Sequence, residues 1–81
     1  MERRLMGEAR CRASLVRYYL LEEDAGKEEV YGVEIELEGE TEAVRNLSPS
    51  RQRVAALLEA LVRGTVTPVG LRDVVDDWLL A

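Results

Sequence analysis

Eighty-one residues make one small domain with room for a single modest core. The chain is 47% hydrophobic, has no histidine, one cysteine (Cys11) and a net charge of −5. This composition excludes a disulfide framework and argues against wholesale disorder. No stretch nears the roughly 20 consecutive apolar residues of a membrane-spanning helix.

Residues 1–12 hold Arg3, Arg4, Arg10 and Arg12 but no apolar run, so they do not read as a secretory signal. They read as a disordered basic tail ahead of one domain at residues 13–81. The lone cysteine points to a reduced, cytoplasmic setting. Charge runs in blocks: residues 1–17 sum to +3, 18–44 to −9, 45–63 to +3 and 64–81 to −2. Alternation of this kind fits charge matching within the fold.

Ala13 to Glu22 is rich in aromatic and aliphatic residues and reads as a first strand. After a polar turn, Glu29 to Leu37 is a second strand, with Val33, Ile35 and Leu37 alternating with Glu34 and Glu36. Thr41 to Asn46 is a short third. Gly26-Lys27 and Gly39-Glu40 both suit two-residue turns with glycine first. The first turn sets Tyr18 opposite Ile35 and Arg17 opposite Glu36, although a register slipped by two residues is also open. The second sets Val44 opposite Ile35 and Arg45 opposite Glu34.

Ser48-Pro49 opens a helix, with serine as cap and proline first. Val54, Leu57, Leu58, Leu61 and Val62 form its apolar stripe, and Gly64 ends it. Thr67-Pro68 opens a second helix with a stripe of Leu71, Val74, Val75, Trp78 and Leu79. Arg51 and Arg53 at one helix start, and Asp76 and Asp77 at the other helix end, oppose the helix dipoles. In an antiparallel hairpin they meet and offset one another. The expected fold is α+β: a three-stranded antiparallel meander followed by an antiparallel helical hairpin.

Chemistry finds little to use. General acid–base work without histidine needs a tuned carboxylate or lysine, and the only lysine, Lys27, falls in a turn. No catalytic residues, no cofactor motif and no metal-ligand set emerge. Asp73, Asp76 and Asp77 share a helical face but lack the further oxygen ligands of a cation site. The acidic balance argues against nucleic acid as a partner, and a transcription-related factor using the basic tail is the alternative reading.

The remaining reading is a protein-interaction module. The first strand is apolar on both sides and lies at an edge of the expected meander. Leu15, Arg17, Tyr19 and Leu21 on its outer side form the candidate interface, for a homodimer or an unidentified protein. Cover from the tail or from a helix is the competing possibility.

The order Tyr31-Gly32-Val33-Glu34-Ile35, Leu47-Ser48, then Leu71-Arg72-Asp73-Val74-Val75-Asp76-Asp77-Trp78-Leu79 resembles a family of small uncharacterised bacterial proteins. That family is defined only as a domain of unknown function. The resemblance spans residues 15–80, implies a stand-alone bacterial protein and carries over no catalytic residues.

Overall fold

A computed structural model describes residues 1–81. Four strands precede the helices: β1 (Glu2–Cys11), β2 (Ser14–Ala25), β3 (Glu28–Leu37) and β4 (Glu40–Ser48). They form one antiparallel sheet in the order β1-β2-β3-β4. Helix α1 (Arg51–Arg63) follows, then a 3-10 turn (Pro68–Gly70) running into α2 (Leu71–Leu80). The α+β class and the meander hold, but the strands number four and not three. The segment expected to be a tail is β1. Arg3 lies beside glutamates of β3 and Arg4 beside Glu22 of β2, and Gly7, Ala9 and Cys11 at alternate positions let the helix layer approach.

Alternation on β2 and β3 decides which face is covered. Val16, Tyr18, Leu20, Val33 and Ile35 point to the helices and are buried against Val54, Leu57, Leu58 and Leu61 of α1 and Leu71 and Val75 of α2. Helix α1 packs on all four strands, whereas α2 lies against β4 and the 3-10 turn. Trp78 joins the margin of this core, as its place in the stripe implies, but Leu79 is 58% exposed. Tyr18 is fully buried, and its hydroxyl donates to the Val66 carbonyl at 2.8 Å, tying β2 to the link between the helices.

The first expected register holds: Tyr18 pairs with Ile35, Leu20 with Val33 and Arg17 with Glu36. The second is corrected by two residues. Val33, not Ile35, faces Val44, and Glu34 faces Ala43, not Arg45. The turn is Glu38-Gly39, both with positive φ (51° and 82°), the pattern of a type I′ hairpin with glycine second. Farther along, the pairing shifts between Tyr31 and Val33, where β4 closes in on Gly32. A Cβ on Gly32 would lie 2.4 Å from the Val44 carbonyl oxygen and 2.8 Å from the Arg45 Cα.

Helix α1 starts two residues later than the sequence suggests. Ser50 is the cap, its Oγ accepting from the Arg53 N–H at 3.2 Å, while Ser48 Oγ accepts from the Ser50 N–H at 3.0 Å. At the other end Thr65, not Gly64, takes the left-handed conformation, with φ 48°. The Val66 N–H reaches Leu61 O at 3.0 Å and the Thr65 N–H reaches Val62 O at 3.1 Å, completing a Schellman motif. A β-branched residue is strained there. Thr65→Gly is expected to raise unfolding free energy by about 0.5–1 kcal/mol in urea titration. Gly32→Ala is expected to lower it by at least about 2 kcal/mol, because the new methyl meets backbone and not a side chain that can turn away.

Burial, and secondarily the Cys11 thiol, hold the Tyr18 phenol above its ordinary value. The raised value means that this contribution is complete below about pH 10 and fades as pH rises from there towards the folded-state value. Tyr18→Phe is expected to cost about 1–2 kcal/mol at neutral pH, since it orphans the Val66 carbonyl. It is also expected to flatten the alkaline limb of a stability–pH curve.

Candidate interaction surface

With both helices on one face, the other face of the sheet is left to solvent, and its side chains must tolerate that. Register assigns Arg3, Leu5, Glu8 and Arg10 of β1 to this outer face, beside Leu21, Tyr19, Arg17 and Leu15 of β2 and Glu34 and Glu36 of β3. The charges are matched across strands. Arg3 Nε is 3.2 Å from Glu34 Oε1, and its Nη2 is 3.8 Å from Glu36 Oε2. Arg17 bridges Glu8 and Glu36, each at 3.5 Å. The Arg3 guanidinium lies 3.6 Å from the centroid of the Tyr19 ring, and the Tyr19 hydroxyl donates to Glu36 at 3.3 Å.

Two more arginines fasten the sheet. Arg45 Nε donates to Glu23 Oε1 at 2.8 Å, crossing from β4 over β3 to β2, a path opened by the bare Gly32. Arg45 holds the Glu23 carboxyl below its ordinary value. On the helix-facing side, Arg4 Nε is 3.4 Å from Glu22 Oε1, a buried oxygen with no hydrogen-bond donor. The predicted meeting of Arg51 and Arg53 with Asp76 and Asp77 does not form. Arg53 instead stands 5.1 Å from the Trp78 ring centroid, so an aromatic face takes the cation.

The candidate interface residues therefore share a face but no edge. Leu15, Arg17, Tyr19 and Leu21 lie on β2, which is paired on one side with β1 and on the other with β3. Tyr19 sits under Arg3, Leu21 is 1% exposed, and Leu15 alone is an exposed apolar residue. The expectation that this strand is an edge fails because β1 occupies the place beside it. The open edge is that of β1, whereas β4 at the far side is flanked by the 3-10 turn and α2.

Sequence reasoning missed this edge, although its signal is present: small residues at 7, 9 and 11 in period two, with charges between them. Leu5 is 49% and Met6 40% exposed there. The pairing of β1 with β2 skips Met6, which forms a bulge between Leu5 and Gly7. A groove of about 390 Å³ opens between this bulge and α1, floored by Gly7, Leu58 and Val62 and rimmed by Glu59 and Arg63. A Cβ on Gly7 would lie 2.9 Å from Val62 Cγ2, so glycine sets how closely α1 approaches β1.

Arg3→Met keeps an apolar stem over Tyr19 but removes the charge. It is expected to destabilise the protein by about 1 kcal/mol or less in low salt, with the difference shrinking in 1 M NaCl. Paired denaturant melts at the two salt concentrations measure it.

A family model described as a family of unknown function (DUF6514) matches residues 2–81, and the chain belongs to that family. No curated protein and no solved structure matches the chain.

Proposed function

We propose that this DUF6514 protein is a protein-interaction module that takes its partner along the open edge of β1. The observation that carries the reading is a ten-residue edge strand with Leu5 and Met6 exposed at its middle. One side of that strand has no backbone partner in the sheet, and such edges are templates for another chain. Proteins that must keep an edge solitary blunt it with charges, proline, a bulge or a covering element, and β1 carries charges and the Met6 bulge. This edge has neither proline nor lysine, Leu5 and Met6 interrupt its charges, and no strand pairs with its free side, although α1 packs over its helix-facing side.

Binding suits this chain better than catalysis. It has no histidine, its one lysine is in the β2–β3 turn, and the buried Tyr18 hydroxyl is spent on a structural hydrogen bond. The nucleic-acid reading loses support because Arg3, Arg4 and Arg17 are engaged with carboxylates of the same sheet. A single free thiol fits a reducing compartment such as the cytoplasm.

A photo-crosslinking amino acid placed at Met6, with a control at the exposed Val69, tests the reading in native cells. Discrete adducts at position 6 and none at 69 are expected. No adduct at 6, or the same adducts at both positions, contradicts it.

A further inference from the structure

We infer that the occupant of the β1 edge is a second copy of this chain, joined β1 to β1 in an antiparallel register that pairs Leu5 with the partner's Met6. This rests on the edge reading above and names the partner. The register follows from the bulge. Before it, Arg3 and Leu5 point to the outer face; after it, Glu8 and Arg10 do. Two copies related by a two-fold axis perpendicular to the sheet keep outer face with outer face. Pairing the first half of one strand with the second half of the other then requires paired residue numbers to add to an odd total.

A total of eleven sets Arg3 opposite the partner's Glu8, twice, and brings the two Leu5 side chains to the two-fold axis on the outer face and the two Met6 side chains to it on the side of the α1 groove. On the helix-facing side it sets Arg4 opposite the partner's Gly7, which offers no side chain to obstruct the arginine stem, and Glu2 opposite the partner's Ala9. A total of thirteen instead opposes Arg3 with Arg10 and Leu5 with Glu8, which places like charges across a ladder. The strand is therefore self-complementary in one register. Each Glu8 already pairs with Arg17 in its own chain, so the new contact extends the outer-face network across the boundary. Leu5 and Met6, the exposed apolar residues at the middle of this edge, are the ones that the junction covers.

Sedimentation equilibrium of the intact protein from micromolar to submillimolar concentration is expected to show reversible dimerisation. Met6→Lys places two cations beside the axis and is expected to weaken the dimer at least about tenfold, with an unchanged circular dichroism spectrum and, at dilutions where both proteins are monomeric, an unchanged thermal melt. Register is read from spin-label distances in Glu2→Cys and Arg10→Cys variants that also carry Cys11→Ser. At roughly 3.3 Å per residue the inferred register separates the labelled backbones by about 23 Å at position 2 and about 30 Å at position 10. Register thirteen reverses the two distances, and that result overturns the inference. A strictly monomeric protein, or a dimer indifferent to Met6→Lys, overturns it as well. Cross-links from Met6 to a different protein in cells would then leave the edge reading standing without the second copy.

Discussion

One constraint governs this molecule: both helices pack on the same face of the sheet. All four apolar strand residues with zero exposure on β2 and β3 other than Tyr18, together with Tyr18 itself, turn towards that cover. The opposite face has no helix over it: Leu21 is buried there, while Glu34 and Glu36 of β3 lie on the same face and need partners. Arginines from β1, β2 and β4 supply the answering charge, with Arg3 lying across Tyr19 to reach Glu34 and Glu36 of β3. The core holds the sheet to the helices, and the charge network makes the uncovered face compatible with solvent.

Individually these exposed ion pairs are weak. Their importance lies in register: each arginine meets a glutamate on a different strand, so a slipped strand would lose its partners along with its apolar alignment. Gly32 extends the same logic by letting β4 close in until Arg45 can reach Glu23 two strands away.

Where local pattern and tertiary need agree, the sequence was legible. The alternation of apolar residues and charges narrowed the β2–β3 pairing to two registers, and the one set by a Gly26-Lys27 turn is the one that forms. The α1 stripe was visible for the same reason. The β3–β4 turn was misplaced by one residue, and the register by two, because Glu38 adopts a positive φ that sequence favours giving to glycine. Strand β1 was missed more thoroughly. Its arginines suggest a tail until the glutamates they face are known, and its inner positions are small rather than overtly apolar. That omission moved the open edge to the wrong strand and made Leu15, Arg17, Tyr19 and Leu21 look like an edge surface.

The central claim is that β1 is a full strand with one partnered side and one open side. Residue-resolved amide hydrogen exchange at dilute concentration tests it most directly. Alternating protection along residues 2–11 is predicted, slow where the N–H faces β2 and fast where it faces away, with the alternation interrupted at Met6. Uniformly fast exchange through residue 11 would contradict the account and restore a tail.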